Sequence, residues 1–587
     1  MDDLLHLFPS QGPAPLPGEP SLADAIAAIR ADTSIPAVKR RHWLTSMTVL
    51  AKAIGRPLQS IPCRMTALRH HIGRLNAAAL GWEPKTFSNH KSNMKAAINH
   101  FMNVQNLPKR GAPLSATWTT IFEAILDVKP RRLLGGFARY CSVRDIHPAD
   151  VTEDLVIQYF GFRELTGFLR AGVARPRELM KAWNSCVEQV SGWPQRLLFL
   201  PGLPRATRGA QWEEFPETLH VDIETYLAGL AKPHRSANGR RRRSNKASTI
   251  TTRRRELAAF ARTAVAAGVP IQSLTSLAAL LHPDVVIRAL ESYLELNGPQ
   301  PKGYTIDLAA KLLSIARTIG APPETVSHLD DIRARLEQDR GDVLTQKNLA
   351  IIRAVMMSDI WARVCSLPRR LMDDAQRMLN WAPKKALSLA TIALQIQILT
   401  RAPLRVGNLL SIRLDHNLKR NHGTEPSYQL YFPNYDVKNR IELDFQLSRS
   451  TAELIDEFIH TFRPRIGATS MGDWLFPGKA GKHRSPSHAS VYIAALVEKE
   501  VGLRVTAHQF RHAAAAVILK ERMGDYEFVR RMLGHRNITT TIRFYTALES
   551  FPASKAFGEI IETQMAKHQS KQDPVRTRRK LPKGGSN

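Results

Sequence analysis

Apolar residues recur every three or four positions through most of residues 21–340, with few runs of β-branched residues. This spacing places the apolar side chains on one face of a helix. The pattern changes further along the chain, where "YQLYFPN" and "NRIELDFQL" alternate apolar and polar residues as half-buried strands do. Helical spacing continues in "LNWAPKKALSLATIALQIQILT" and "TAELIDEFIHTF". The sequence therefore predicts a mainly α protein whose last part is mixed α/β with a small antiparallel sheet.

The helical region contains segments that resemble one another at a separation of roughly 100 residues. Residues 137–160 and 260–294 both place a helix before a loop, followed by His-Pro ahead of an Asp-Val helix start. Residues 50–72 form a fainter third copy. We interpret these copies as related helical domains, with unrelated helical modules as the alternative.

The charge of the chain points to a polyanionic partner. It has 83 Lys and Arg against 52 Asp and Glu, a formal net charge of +31, and a pI near 10.3. Nucleic acid is the simplest such partner, and a membrane surface is the other. No apolar run is long enough for a spanning helix, and the first residues do not resemble a secretory signal. Four scattered cysteines are typical of free thiols in a reducing cytoplasm; we expect a cytoplasmic, nucleoid-associated protein.

Positive charge is concentrated in residues 232–256, which hold 10 Lys and Arg and one Glu. The segment is either a solvated linker or a basic strap along a DNA backbone, where cations add affinity but little sequence choice. A nuclear-localisation signal is a further possible function of this segment, but nothing else in the sequence supports it. The candidate DNA-binding residues are Arg240, Arg241, Arg242, Arg243, Lys246, Arg253, Arg254 and Arg255.

Six further residues form an ordered set in the last third of the chain: Arg405, Lys438, His508, Arg511, His535 and Tyr545. Guanidinium forks match the oxygens of a phosphodiester, and fixed donors stabilise the charge that develops there. A tyrosine hydroxyl can act as the nucleophile, and a lysine ammonium can protonate the departing oxygen. The set therefore predicts tyrosine attack on a phosphodiester without a metal or other cofactor.

The spacing of the set supports this interpretation. His508 and Arg511 are three residues apart at the start of "AHQFRHAAAAVILKE", so they share one face of the helix that this segment predicts. Thr506 is the predicted cap of that helix. Gly534 stands where the next helix should end. Tyr545 follows on a second short helix, "TTTIRFYTAL".

A zinc site is the alternative for part of this set, since His508 and His512 have the i, i+4 spacing of a zinc-binding helix. Gln509 replaces the general-base Glu, and Arg511 would lie beside the metal. The sequence disfavours this alternative, and His512 is interpreted as a supporting group beside Arg511.

At these residues the chain resembles the tyrosine recombinases of the phage integrase family, over roughly residues 345–560. That family carries an Arg box, a Lys on a β-hairpin, an H-x-x-R-H box, an L-G-H box and a final Tyr. "DWLFPG" at residues 473–478 is similar to the segment that precedes the H-x-x-R box. One departure is Asn408, where the family usually has Glu; it affects a supporting hydrogen bond more than the chemistry.

The resemblance implies a domain layout. A disordered N-terminus (1–20) precedes two helical domains that resemble a core-binding repeat (21–110 and 111–212). A SAM-like core-binding DNA clamp domain with the basic strap follows (213–340), then the catalytic domain (345–565). The last segment is a basic disordered tail (566–587), with seven Lys and Arg and one Asp.

The resemblance also implies a function: site-specific recombination of double-stranded DNA through a 3′-phosphotyrosyl intermediate, by a tetramer on two DNA sites. Accessory DNA-bending proteins or a partner recombinase are compatible additional partners, and the added N-terminal domains favour a mobile genetic element. Two alternatives remain open at this point: an accessory DNA-binding protein without catalysis, and a topoisomerase-like enzyme that nicks and reseals DNA.

Overall fold

In the computed structural model, the chain forms two compact units, one of residues 1–198 with 343–587 and the other of residues 199–342. The residues that the structure describes are 13–108, 111–168, 174–199, 210–235, 241–242, 244–297, 303–340, 345–357, 359–421, 426–467, 472–546 and 550–572. Within these ranges, no helix is both long and apolar enough to cross a membrane.

Residues 13–198 fold as two successive groups of helices. The first group contains α1 (Leu22–Ala31), α2 (Ala37–Ile54), α3 (Met65–Ile72) and α4 (Pro84–Phe101) around a core that includes Trp43. The second contains α5 (Ala116–Glu123), α6 (Val128–Ser142), α7 (Glu153–Thr166) and α8 (Ala174–Gln189). Its interior is aromatic, with Trp118, Phe137 and Trp183 fully buried.

The second unit is also helical, with an apolar core around Phe260 and Leu312. A short antiparallel hairpin pairs His234 with Arg242 and Arg235 with Arg241. The elements are α9 (Glu217–Ala231), β1 (His234–Arg235), β2 (Arg241–Arg242), α10 (Ala247–Ala266), α11 (Leu277–Leu280), α12 (Pro283–Asn297), α13 (Gly303–Thr318) and α14 (Pro323–Gln338).

Residues 345–572 form the mixed α/β part. Helix α17 is buried along most of its length in the main core of this part. The helices and strands of this part follow one another along the chain. They are α15 (Gln346–Met357), α16 (Ile360–Met378), α17 (Pro383–Arg401), α18 (Val406–Leu410), β3 (Leu418–Asn421), β4 (Ser427–Phe432), β5 (Leu443–Leu447), α19 (Arg449–Glu457), α20 (Pro486–Val501), α21 (Ala507–Glu521), α22 (Tyr526–Leu533), α23 (Ile538–Tyr545) and α24 (Ser550–Gln572).

The predicted sheet is present. Strands β3, β4 and β5 are antiparallel neighbours in that order. Buried and exposed residues alternate along β5, as the period of two requires for a strand with one face on the core. The fold class predicted from the sequence, mainly α with a small antiparallel sheet in the C-terminal domain, is therefore confirmed.

Two local expectations differ from the structure. Residues 13–20, predicted to be disordered, follow a defined non-helical path because the Pro20 carbonyl accepts a hydrogen bond from the Cys63 amide at 3.0 Å. Residues 566–572, assigned to the disordered tail, continue the helix α24. The basic strap at residues 232–256 stays a prediction; its described residues include the β1–β2 hairpin and the start of α10. Residues 1–12 and 573–587 of the two predicted disordered termini lie outside the described residues.

Candidate active site

Arg405 lies between two elements, as the residue that precedes α18, with extended backbone geometry. Its Nη1 atom is buried and has no hydrogen-bond partner among the residues that the structure describes. Burial lowers the pKa of Arg405. A buried donor without an acceptor is unfavourable, so this guanidinium is suited to an anion that supplies the acceptor.

Arg511 on α21 connects three of the sequence motifs. Its Nη1 atom donates to the Pro403 carbonyl and its Nη2 atom to the Leu533 carbonyl, each at 2.5 Å. Pro403 comes two residues before Arg405, and Leu533 comes two residues before His535. Only 3% of Arg511 is exposed, and burial together with the Arg405 charge lowers its pKa to about 10. The guanidinium is therefore fixed in place while it remains charged at neutral pH.

The start of α21 has the predicted cap. The Thr506 amide donates to Gln509 Oε1 at 2.8 Å, which closes the first turn. Gln509 Nε2 in turn donates to Asn348 Oδ1 on α15 at 3.0 Å. His508 follows in this turn, where burial and then the charges of Arg511 and Arg405 lower its pKa. The imidazole is accordingly neutral at pH 7 and lies within the field of both guanidiniums.

Gly534 ends α22 in the left-handed conformation, with φ of 59°, as its position in the sequence predicts. Its carbonyl accepts a hydrogen bond from Asn439 Nδ2 at 3.1 Å. A Cβ atom at this glycine would lie 2.6 Å from Leu443 Cδ2. The turn before His535 therefore packs closely against the β4–β5 hairpin. Lys438, the residue beside Asn439, is exposed on that hairpin.

His535 is held from two sides. Its Nδ1 atom lies 3.0 Å from Thr541 Oγ1, a fully buried hydroxyl on α23, and its carbonyl accepts from Arg530 Nη1 at 3.0 Å. Burial, followed by the charges of Arg511 and Arg405, lowers the pKa of His535 to about 4. Like His508, it is neutral at pH 7, so its ring carries a single proton that can be donated to an oxygen.

Tyr545 is the last residue of α23, and only 2% of it is exposed. Its hydroxyl oxygen lies 2.9 Å from His512 Nδ1. Burial, with smaller effects from His508 and Arg511, lowers the pKa of His512 to about 4, so the ring is neutral and can accept the tyrosine hydroxyl proton at Nδ1 when its own proton is on Nε2. Burial raises the pKa of Tyr545, while the nearby Arg511 opposes that shift. The Tyr545 hydroxyl is therefore protonated where it lies inside the cluster.

His512 is the residue whose contact the sequence interpretation missed, since it was assigned only a supporting place beside Arg511. Its ring centroid lies 4.9 Å from that of His508 and 5.8 Å from that of Tyr545. The i, i+4 spacing from His508 places both rings on one face of α21. The i, i+4 spacing could have predicted the contact of His512, because a ring on the same face of α21 as His508 lies toward the same cluster.

Asn408, the departure from the family pattern, is 8% exposed on α18. Its Nδ2 atom is buried and has no hydrogen-bond partner among the described residues. An amide at this position cannot reproduce the charge of the usual carboxylate, so α18 adds no negative group beside Arg405.

The structure thus brings Arg405, His508, Arg511, His535 and Tyr545 into one electrostatic cluster and places Lys438 on the adjoining hairpin. The candidate DNA-binding residues lie in the other unit. Arg241 and Arg242 belong to β2, Lys246 and Arg255 are exposed, and Arg240 and Arg243 lie outside the described residues. Arg254 donates twice to the Glu224 carboxylate at 2.5 Å, and Arg253 lies 3.8 Å from Glu256.

Residues 369–550 match the phage integrase family, a range that contains all six candidate catalytic residues. Transposase A from transposon Tn554 of Staphylococcus aureus is 23% identical to the chain over 177 residues, which are 28% of this chain and 46% of that protein. The chain therefore spans about half the length of this curated relative.

Solved recombinase structures are also similar to the chain. The Tn1549 transposon integrase in complex with transposon right end DNA gives 15% identity and a TM-score of 0.33, over 58% of this chain and 99% of that one. A lambda integrase dimer bound to a COC' core site gives 16% identity and a TM-score of 0.31, over 64% and 87%. The XerH recombinase bound to difH gives 14% identity and a TM-score of 0.28, over 56% and 91%.

Proposed function

Because residues 369–550 are a phage integrase family domain, we propose that the protein is a site-specific DNA recombinase that cuts and rejoins strands through a 3′-phosphotyrosyl intermediate. One observation carries the proposal: the Tyr545 hydroxyl is buried in the same cluster as two guanidiniums, Arg405 and Arg511, that no carboxylate neutralises in the described part of the site. A cluster of this kind attracts a phosphodiester and holds a nucleophile beside it.

In the proposed reaction, Tyr545 Oη attacks the scissile phosphorus and its proton passes to His512 Nδ1. The bond from phosphorus to the 5′-oxygen breaks, and Lys438 protonates that oxygen as it departs. A 5′-hydroxyl from a partner strand then attacks the phosphotyrosine and restores the phenol. One phosphodiester is exchanged for another through the tyrosyl ester, so the exchange needs neither ATP nor a metal.

The remaining residues act on the phosphate. Arg405 Nη1 supplies a donor for a non-bridging oxygen. Neutral His508 and His535 each carry one ring proton for the same purpose, and their fixed geometry avoids reorganisation when charge develops. Arg511 uses two of its donors on carbonyls, so it contributes through its charge and its remaining N–H groups.

Double-stranded DNA is the proposed substrate, and a homotetramer on two DNA sites is the proposed assembly. Helix α24 supports self-association because its exposed apolar residues recur at helical spacing: Phe557, Ile560, Ile561 and Met565. Exposed apolar residues also lie on α23, at Ile542 and Phe544. A second copy of the chain is the occupant that we propose for these surfaces. The similarity to Transposase A from transposon Tn554 of Staphylococcus aureus supports a role in a mobile genetic element.

Covalent capture of DNA tests the function. The full chain is used to select duplexes from a randomised pool, and a selected duplex is nicked shortly to the 3′ side of each candidate phosphate. Cleavage then releases a short fragment that bears the 5′-hydroxyl and diffuses away. We expect the wild-type chain to form a denaturant-resistant complex with this DNA and Tyr545→Phe to form none, while both bind the duplex equally. Tyr492→Phe, at a tyrosine 61% exposed on α20, is the matched control and should capture normally.

Three other outcomes of this experiment would each contradict part of the proposal. Capture by Tyr545→Phe contradicts the assignment of the nucleophile. Specific binding without capture by the wild-type chain identifies an accessory DNA-binding protein instead. Relaxation of a supercoiled plasmid that lacks the selected sequence identifies a topoisomerase-like enzyme.

A further inference from the structure

The connection between α3 and α4 contains a turn that is folded by one side chain, that of Asn76. Its Oδ1 atom accepts from the Ala78 amide at 2.8 Å and from the Ala79 amide at 3.3 Å. An Asn side chain that bonds to the backbone two residues ahead fixes a turn by local contacts alone. Residues 76–79, which we call the Asn76 turn, therefore have a defined shape that they present to the rest of the molecule.

The Asn76 turn contacts the C-terminal end of α20. Asn76 Nδ2 donates to the Glu498 carbonyl at 2.8 Å, so the side chain that folds the turn also attaches it to this helix. The Gly502 amide donates to the same carbonyl at 3.0 Å, and a carbonyl oxygen has two lone pairs for two donors. Asn76 and Glu498 are 422 residues apart in the chain. The contact therefore joins the N-terminal helices to the mixed α/β part.

Gly502 allows the two segments to lie this close together. It ends α20 in the left-handed conformation, with φ of 90°. A Cβ atom at this position would lie 2.6 Å from the Ala79 nitrogen and 2.8 Å from the Ala79 Cα atom. These are backbone atoms, which cannot rotate away as the end of a long side chain could. The Asn76 turn therefore fits against the end of α20 only because a glycine stands there.

The end of α20 lies directly before the helix that carries candidate catalytic residues. Residues 503–505 alone separate Gly502 from Thr506, the cap of α21. Val505 in this connection is fully buried. A short connection that is anchored in a close-packed core transmits the position of one helix end to the start of the next helix. The place of His508, in the first turn of α21, therefore depends on where α20 ends.

A second contact of the Asn76 turn leads to α21 through α16. Arg363 Nη2 on α16 donates to the Ala78 carbonyl at 3.4 Å. Trp361, two residues earlier on α16, packs against Phe510 with 5.9 Å between the ring centroids. Phe510 is fully buried on α21, next to Arg511. The turn thus contacts two helices, α16 and α20, that both support the start of α21.

We propose that Asn76 is a positioning residue for the candidate active site: it fixes the Asn76 turn on α20 and thereby holds His508 and Arg511 at the phosphate. The N-terminal helices contribute to the rate of DNA cleavage through this protein contact. The inference rests on the proposed function for the reaction that is measured, whereas the contact can be tested without any DNA.

Asn76→Asp separates the two roles of the side chain. The carboxylate keeps an acceptor for the amides of the turn, but it loses the donor to the Glu498 carbonyl and places negative charge against that oxygen. Asn89→Asp, at an exposed position of α4, makes the same change in charge and is the matched control. Thermal unfolding of both variants shows whether the fold is retained.

Two measurements on the full chain test the proposal. In hydrogen exchange without DNA, we expect the backbone amides of residues 498–506 to exchange about tenfold faster in Asn76→Asp than in the wild-type chain. In the covalent capture assay, the rate at saturating DNA should fall about tenfold, because α21 is no longer fixed. The affinity for DNA should stay the same, and Asn89→Asp should match the wild-type chain in every measurement.

The other outcomes are distinguishable. Unchanged hydrogen exchange of residues 498–506 in Asn76→Asp overturns the contact itself. Faster exchange with an unchanged capture rate overturns the positioning role and leaves a packing contact only. A fall in DNA affinity with an unchanged rate at saturating DNA also overturns it, because the turn would then act on DNA binding. A wild-type chain that captures no DNA overturns the proposed function and the role in cleavage, while hydrogen exchange still decides the contact.

Discussion

Arginines are held in two different ways in the candidate active site and on the surface of the 199–342 unit. In the site, Arg511 is buried and donates to carbonyl oxygens, and the buried Nη1 atom of the half-buried Arg405 has no partner among the described residues. On the surface, the Arg254 fork closes on the Glu224 carboxylate. A paired guanidinium is already neutralised, whereas a buried one without a carboxylate keeps its positive potential available to a ligand. The functional difference therefore lies in the partners of a residue type, not in the type itself.

Replacing Arg511 should have the largest effect. Arg511→Ala leaves the Pro403 and Leu533 carbonyls buried without a donor, which we expect to cost about 2–5 kcal/mol of stability. Covalent capture should fall by at least about 100-fold to 1,000-fold. Thermal unfolding and the capture assay measure the two effects. Arg511→Lys, which keeps the charge but loses the fork, should recover only part of either; full recovery would show that charge alone is needed.

His512 tests whether a neutral acceptor matters as much as the cations. His512→Leu removes the acceptor of the Tyr545 hydroxyl, and we expect capture to slow by about 100-fold because the nucleophile loses its position. His512→Asn places an amide oxygen near the Nδ1 position but cannot take the proton of Tyr545, so it should restore only the part of the rate that depends on position. DNA affinity should stay the same in both variants. Equal rates for the Leu and Asn variants would contradict a positioning role.

The histidines of the candidate active site predict a dependence of the free energy of unfolding on pH. His512 and His535 have a pKa of about 4, below the ordinary 6.5, so the unfolded chain binds more protons than the folded chain between these values. Their stabilising contribution is complete above pH 6.5 and is lost as the pH falls toward 4. The added slope is at most about 2.7 kcal/mol per pH unit for two protons.

Urea unfolding at pH 7 and pH 5 measures this slope. His512→Asn, which keeps the contact to Tyr545 but cannot titrate, should remove about half of it. This comparison separates the histidines from the carboxylates that titrate in the same range. An unchanged slope in the variant would contradict the assignment of a depressed pKa to His512.

The smallest effect is expected at the surface ion pair. Arg254→Ala removes an exposed bidentate contact, and we expect the free energy of unfolding to change by only about 0.2–1 kcal/mol. The Glu224 carboxylate, whose pKa Arg254 lowers through its hydrogen bonds, should titrate at a higher pH in the variant. A loss of stability close to that of Arg511→Ala would erase the distinction between the two regions.

Local features of the site could be predicted from the sequence because they depend on neighbouring residues. Thr506 caps α21, Gly534 ends α22 in a left-handed turn, and the hairpin carries Lys438 between two alternating strands. Each follows from a short-range rule about caps, turns or periodicity. The mainly α fold with its small sheet follows from the same rules.

Contacts between distant segments could not be predicted in this way. Arg511 reaches a carbonyl 108 residues away, and the His512 ring reaches Tyr545 across 33 residues. Neither spacing has a sequence signature, because the fold alone brings these segments together. The surroundings of the basic segment could not be predicted for a related reason: a count of charges does not show that Arg253 and Arg254 have carboxylate partners or that they lie in a helix.

The short stretch of chain between Tyr545 and α24 has a mechanical consequence. Ser550 follows Tyr545 by five residues, a stretch that reaches at most about 18 Å even when fully extended. A second copy of the chain bound at the exposed apolar face of α24, as we propose, would therefore stay connected to Tyr545 through at most that length. In the proposed assembly, a displacement of α24 by its partner beyond that length would also move the proposed nucleophile.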